Sequence, residues 1–473
     1  DIVSILNIAY NQSLEPRMGP VHIDIPKDIL LETINDEYIN GNYIKKETIQ
    51  KGANIFINNI IKKPSYSHWA SIIRSIYKSK KPIVIAGQGC HHSSKELTKF
   101  IETYQLPITT TLHGVGNVDE SNPLSLEMLG MHGNPVANYA IQNADFIIAI
   151  GTRFDDRTTG ILSEYGKNAL NNEGIVHVDS SYTQLQKVKK LFNNPLLRSI
   201  YSDSNHFLKQ MNCNKLKFQS AIPEKNNLYT DLLTNDTNEW LNELNKYQNI
   251  HKYNYHSSEE LKGPDVLRSL NYYLEKLELN KDMYITTGVG NHQMWTSQYI
   301  QWKHPNQLIT SGSLGTMGVG IPYAIGTKLA NPNSLVICVD GDGSFNMTSN
   351  DLQTILENRI PIKIIIMNDS RQQMVYVWQE LFHENNIIEK ENINPDYNQL
   401  ADAYNITNYK CDSKENISKI MYEFLNETGP VLLNCIIKPE MCYPLVAPGK
   451  ALDEMIFTRN DLSCINTQLN SPN

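Results

Sequence analysis

Short apolar runs separated by helix-spaced stretches organise most of this chain. Runs at Pro82 to Ala86, Pro107 to Thr110, Phe146 to Ile150 and Ile175 to Val178 follow a helical pattern at Ser71 to Ser79. A second series lies at Met283 to Thr286, Leu308 to Ile309, Leu335 to Val339, Ile362 to Met367 and Val431 to Ile437. Continuous apolar runs read as strands buried on both faces, and their alternation with helices implies parallel sheets. The fold class is therefore α/β, with parallel sheets flanked by helices in several domains. Ahead of the first series, Ile2 to Tyr10 reads as a helix and Val21 to Ile25 as a strand, too little for a domain of its own. The expected division is 1–45, the end of a domain; 46–208, a central α/β domain; 209–263, a polar linker with some helix; and 264–473, a second α/β domain with a polar tail after Leu452.

Composition narrows the function classes. The chain has 473 residues, 40% of them hydrophobic, which is enough for two or three cores. A net charge of −8 with no basic stripe gives no case for nucleic acid. No apolar run approaches the roughly 20 residues of a membrane helix, so a soluble protein is expected. The seven cysteines form no CxxC pair, which suggests neither zinc nor disulfides and fits a reducing compartment. The chain opens at Asp1 directly into helical pattern, without Met or a leader. The expectation is that the biological N-terminus lies upstream.

The segment Val336 to Ser370 carries the strongest chemistry. An apolar strand ends at Asp340-Gly341-Asp342-Gly343-Ser344, a helix with Leu352, Ile355 and Leu356 on one face follows, and a second strand ends at Asn368-Asp369. Strands joined by one crossover helix lie parallel, so both acidic ends reach the carboxyl edge of the sheet, where open α/β sheets bind ligands. Glycine lets backbone approach phosphate, and carboxylates hold Mg²⁺ against it. The plain alternative is an ordinary Gly-rich turn. The spacing also resembles the thiamine diphosphate signature, GDG followed about two dozen residues later by Asn-Asn.

The central block adds three glycine-bearing clusters, Thr111 to Gly116, Met128 to Gly133 and Gly151 to Arg157. Taken alone they are strand-to-loop junctions, and Arg153 and Arg157 could simply pair with Asp155 and Asp156. Gly87-Gln88-Gly89 lacks the third glycine of a dinucleotide fingerprint.

Together, LHGxG, LSLxMLGMHG, GxRFDDR and GSLGTMGxGIPYAIG closely resemble the acetolactate synthase (acetohydroxyacid synthase) catalytic-subunit family. The likeness runs from RMGPVHIDIPKD at Arg17 to VAPGKALDEM at Met455. It implies a thiamine diphosphate-binding fold whose first block ends a pyrimidine-binding domain. It also implies a transferase. Pyruvate would be decarboxylated, and the hydroxyethyl unit left on the cofactor would join a second pyruvate or 2-ketobutyrate. The products, 2-acetolactate or 2-aceto-2-hydroxybutyrate, enter branched-chain amino acid synthesis. The competing readings are another FAD-carrying thiamine enzyme, of pyruvate oxidase or glyoxylate carboligase type, and a diverged non-catalytic homologue.

The likeness also implies site residues. Thiamine diphosphate would meet Val289, Gly290, Asn291, His292, Gly315, Met317, Gly341, Gly343 and Ser344. Mg²⁺ would be held by Asp342, Asp369 and the Arg371 carbonyl. FAD, structural in this family, would meet Arg74, Gly87, Gly89, Thr111, Leu112, His113, Leu129, Gly130, Met131, His132, Gly151, Arg153, Asp155, Asp156 and Arg157, with Asp179 and Asp203 at the adenosine end. Met317, Met374, Trp378 and Arg17 would serve catalysis, while the activating glutamate would lie upstream. A homodimer or homotetramer is implied, with a possible small regulatory subunit, in the cytoplasm or an organelle such as a plastid or mitochondrion.

Four positions depart from the family pattern. Gly288 replaces a usual Asp, Gln372-Gln373 a usual Leu-Gly, and Asp369, 27 residues after Asp342, a usual Asn. A second carboxylate beside a diphosphate repels it. The expectation is that Arg371 compensates Asp369.

Overall fold

The computed structural model describes residues 2–15, 18–30, 33, 66–220, 237–251, 253, 258–388 and 391–458. Arg17 and the chain beyond 458 lie outside the described residues, as does most of the stretch between 31 and 65.

Two six-stranded parallel sheets dominate. The first contains β1 (Pro82–Ala86), β2 (Ile108–Thr110), β3 (Ser125–Met128), β4 (Phe146–Ile150), β5 (Gly174–Asp179) and β6 (Leu197–Tyr201), in the order β3-β2-β1-β4-β5-β6. The second contains β7 (Met283–Thr287), β8 (Leu308–Ile309), β9 (Leu335–Gly341), β10 (Lys363–Asn368), β11 (Thr407–Cys411) and β12 (Val431–Ile436), in the order β11-β12-β10-β9-β7-β8. The expected fold class therefore holds. Side chains alternate across each sheet. Ile83, Ile85 and Ile147 enter one core of the first sheet, and Val84, Ala86 and Ile148 enter the other. Burial on both faces is why these strands read as unbroken apolar runs.

The first sheet reverses direction once and the second twice, the later time from the edge strand β11 back to β12; the reversal beside the first strand of each sheet sets where a ligand can enter. In the first sheet the chain winds outward from β1 to β3, then restarts on the other side of β1 at β4. In the second it leaves β7 for the edge strand β8 and returns to β9 on the far side of β7.

One expectation is corrected. Val21 to Ile25 is not a strand; it is irregular, and no described strand pairs with it, so its backbone has no ladder to join. The stretch expected to link is helical at Asn238–Ile250, and its Trp240 is buried in a core of the first sheet. The indole nitrogen donates to the Pro82 carbonyl at 3.1 Å. Among the described residues no helix is long and apolar enough to cross a membrane. The six described cysteines are all free.

Candidate functional site

The edge of the second sheet is built by register. β9 and β10 pair with Gly341 opposite Met367, which brings Asp342 level with Asn368. β7 and β9 pair with Thr287 opposite Val339, which brings Gly288 level with Asp340. Three strand ends thus deliver Gly288 to His292, Asp340 to Ser344 and Asn368-Asp369 to one place, as the spacing in the sequence predicts for the last two.

Glycines form the walls there. A Cβ on Gly288 would stand 2.0 Å from Asp340 Oδ1, and one on Gly341 2.7 Å from His292 Nδ1. Asn291 and His292 are buried in the first turn of the helix Asn291–Tyr299. Ser344 is buried, and its hydroxyl accepts from the Gly318 amide at 2.9 Å. Gly315 and Gly318 both have φ near +75°, so the Gly315-Thr316-Met317-Gly318 turn uses conformations that glycine supplies without strain. Met317 is half-buried beside them.

The acidic groups are electrostatically frustrated. Burial raises the Asp342 carboxyl above its usual range. Asp369 is pushed up to about 8, by burial first and by the nearby Asp342 charge second. The expected compensation by Arg371 is only partial: its charge lowers the Asp369 pKa, but burial and the Asp342 charge outweigh it. The Arg371 guanidinium donates to Glu391 at 2.8 Å and lies over the Tyr376 ring. Only its backbone N–H reaches Asp369 Oδ1, at 3.2 Å. An exposed carboxylate on a neighbouring loop binds the cation more cheaply than a buried one that must first be ionised.

Two residues at this edge escaped the sequence reading. Asn394 donates to Asp342 Oδ2 at 2.6 Å and to Asn368 Oδ1 at 3.1 Å. Tyr397 donates to Asn346 at 3.0 Å and raises its hydroxyl over the Asp342 backbone. Both come from the Asn394-Pro395-Asp396-Tyr397 run, a turn signal whose partner strand ends only folding supplies. Gln373 is buried at the start of the helix Gln373–Phe382, and its Oε1 has no hydrogen-bond partner.

The edge of the first sheet is different. β1 and β4 run in flush register, from Pro82 with Phe146 to Ala86 with Ile150. The loops after them therefore touch. Gly87 N donates to Ile150 O at 2.9 Å and Gly89 N to Gly151 O at 3.1 Å. A Cβ on Gly87 would lie 2.2 Å from Gly151 O, so the approach requires glycine. Charges here are paired locally. Asp155 accepts from Arg153 at 3.1 Å and caps the Asp156–Thr159 turn, and Asp203 pairs with His92 at 2.8 Å. The pairing within the Arg153 to Arg157 run that the sequence left open is thus present, for Arg153 with Asp155 and, more loosely at 3.9 Å, for Arg157 with Asp156. His132 Nδ1 donates to Cys442 O, 3.1 Å away, and burial lowers its pKa to about 4.

A cavity of about 1400 Å³ joins the two edges. Of the residues assigned to FAD, its lining includes Gly89, Thr111, Leu112, His113, Leu129, Met131, His132, Gly151, Arg153, Asp155, Asp156, Arg157, Asp179 and Asp203. Gly87 and Gly130 lie just behind it as backbone supports, and Arg74 sits on the exposed face of the helix Tyr66–Lys78, off the lining. At the other end the wall is Val289, Gly315, Met374 and Trp378. There the Arg157 guanidinium lies 5.6 Å from the Trp378 ring and reaches the Met131 sulfur. Asn291, His292, Met317, Gly341, Gly343, Ser344 and the acidic pair lie beyond this wall, at the strand ends.

Residues 288–435 match the family described as thiamine pyrophosphate enzyme, C-terminal TPP binding domain, and residues 69–211 match thiamine pyrophosphate enzyme, central domain. The chain is 34% identical over 470 residues to the mitochondrial acetolactate synthase catalytic subunit of Saccharomyces cerevisiae, covering 95% of this chain and 64% of that one. It is 34% identical to the mitochondrial acetolactate synthase of Schizosaccharomyces pombe, covering 97% and 66%. The acetolactate synthase large subunit of Cyanidium caldarium is 34% identical over 474 residues, covering 98% of this chain and 75% of that one. The chain thus spans just under two thirds of the length of the two yeast proteins. The strand-end site, the cavity and these likenesses agree: the chain belongs to the acetolactate synthase catalytic-subunit family of thiamine pyrophosphate enzymes.

Proposed function

We propose that this chain carries the cofactor-holding part of an acetolactate synthase. Two pyruvates, or pyruvate and 2-ketobutyrate, would be joined with loss of CO₂. The single observation that carries the reading is the convergence of Gly288–His292, Asp340–Ser344 and Asn368-Asp369 at one sheet edge, beside a cavity that Val289 lines together with Arg157 and Trp378.

The donor set fits Mg²⁺. Two crowded carboxylates, each held above its usual pKa, are relieved by a divalent cation, and oxygen donors suit Mg²⁺. Among the described residues no three His, Cys, Asp or Glu side chains gather for a metal. Asp342, Asp369 and the Arg371 carbonyl would therefore leave room for phosphate oxygens or water, as Mg²⁺ prefers. The glycine-walled crevice fits a diphosphate, with Gly341, Gly343 and Ser344 on one side and Gly290, Asn291 and His292 on the other. Thiamine diphosphate, when bound, supplies an electron sink for the carbanion left by decarboxylation. Met317 and Gly315 would support it, and Val289, Met374 and Trp378 would shape the space beside it. Arg157 is placed to attract a 2-keto acid carboxylate, and the apolar wall restricts water.

The cavity side of the first sheet fits FAD in a structural role. It offers backbone approach at Gly89 and Gly151 and acids at Asp179 and Asp203 suited to ribose hydroxyls. The domain division at 46–208 and 264–473 belongs to the same proposal, with the helix Asn238–Ile250 added to the central unit. So do a homodimer or homotetramer, a regulatory subunit, and an organellar setting like that named for the mitochondrial and chloroplastic relatives.

The test is acetolactate formation from pyruvate by the full-length protein with thiamine diphosphate, Mg²⁺ and FAD. Product formation is expected to depend on all three. Flavin reduction by pyruvate instead of acetolactate would make it an oxidase, and cofactor binding without product would make it a non-catalytic relative.

A further inference from the structure

Asp340 is a carboxylate with no role in the chemistry above, yet it is wholly buried at the centre of the strand ends. Its Oδ1 accepts from the Gly341 amide at 3.0 Å, while its Oδ2 has no hydrogen-bond partner. Burying a charge is costly unless it is paired. Among the described residues, the basic side chain within 4.0 Å of it is His292, whose Nε2 stands 3.3 Å from Oδ1. That ring is itself buried, and its Nε2 has no hydrogen-bond partner, so the Asp340 carboxylate faces it at ion-pair distance alone.

The surroundings are shaped around this pair. Gly288, opposite Asp340 in register, has no room for a side chain because the Asp340 carboxylate fills that space. Gly320 closes the other side, where a Cβ would lie 2.5 Å from Oδ2. The far nitrogen of the ring, Nδ1, faces the opposite way. It lies where a Cβ on Gly341 or Gly290 would come within 2.7 or 3.1 Å, and those two glycines bound the diphosphate crevice.

We propose that Asp340, on β9, is a positioning residue for His292. The carboxylate stands against Nε2 and holds that side of the ring by its charge, which leaves Nδ1 aimed into the Gly290–Gly341 crevice. Between a carboxylate and a phosphate oxygen both ring nitrogens donate. The inference rests on the reading of this edge as a diphosphate site.

The experiment measures binding of thiamine diphosphate, and separately of inorganic pyrophosphate, to the full chain in Mg²⁺ by titration calorimetry. Asp340→Asn keeps the volume and should lower both affinities by about 10- to 100-fold, the usual cost of removing a group that orients a ligand-holding histidine. FAD content should not change. In a His292→Ala background, Asp340→Asn should add less than about twofold, because it acts through the ring. A wild-type affinity in Asp340→Asn, or fully additive losses in the double variant, overturns the inference alone. A wild-type chain that binds neither probe overturns the site reading and the inference with it. Labelled-histidine NMR of the wild-type chain gives a measurement that needs no variant. His292 should carry its proton on Nε2 and shift at Nδ1 when thiamine diphosphate is added. A His292 without a proton on Nε2, or with an unresponsive Nδ1, is the contrary result.

Discussion

The two sheets reverse direction at comparable points but prepare those points differently. At the first, Gly87, Gly89 and Gly151 bring two backbone loops into contact, and the nearby charges are largely matched by neighbours. At the second, glycines again clear the space, but Asp340, Asp342 and Asp369 are gathered with too few cations. The first edge is a neutral shelf that stands complete without an ion. The second is a cradle that a cation would complete. Fold alone would not separate them; the balance of buried charge does.

The largest break in that contrast should come from Asp342→Ala. Loss of a metal-holding carboxylate should lower Mg²⁺-dependent thiamine diphosphate affinity by about 100-fold or more, while FAD retention is unchanged. Calorimetry and flavin absorbance on one preparation check both halves. The mirror-image change is Gly87→Ala. Its Cβ would be forced against Gly151 O, so the loops must part at a cost of about 2 to 3 kcal/mol. FAD content and the melting temperature should fall, with the second edge's affinity kept.

A pH dependence should separate the halves as well. Burial lowers the pKa of His132 to about 4 in the folded chain, from an ordinary histidine value of about 6.5. Between those values the unfolded chain binds the proton and the folded chain does not, so stability rises with pH across that window and is lost as pH falls through it. The contribution is about 3 kcal/mol from this residue. Urea unfolding at pH 7 and pH 4.5 should show a smaller acid loss in His132→Asn than in wild type. The smallest effect is expected from Arg371→Met. Because the guanidinium engages Glu391 and not Asp369, thiamine diphosphate affinity should change less than about twofold, and stability by less than about 1 kcal/mol.

What the sequence disclosed follows burial. β1, β4, β5, β7, β9, β10 and β12 are covered on both faces and read directly as apolar runs. β3, β6 and β11 did not. They are sheet edges, and Ser125–Met128, Leu197–Tyr201 and Thr407–Cys411 each expose part of their length and mix polar residues with apolar ones. Val21 to Ile25 shows the converse, an apolar pattern with no described strand to join. At the site, Asp342 and Asn368-Asp369 were legible because one crossover fixes their meeting. Asn394, the Asp340–His292 pair and the turning of Arg371 toward Glu391 depend on contacts between segments distant in sequence, which local pattern does not encode. Gly288 read as a loss; in the fold it is the space that Asp340 occupies.

The most direct measurement is titration of the full chain with thiamine diphosphate, with and without Mg²⁺, in wild type and Asp342→Ala. Saturable binding that requires Mg²⁺, disappears in the variant and leaves FAD in place is the expected result. Binding indifferent to Mg²⁺ and to Asp342, or loss of FAD together with thiamine diphosphate, would contradict the assignment of the cation to the second edge alone.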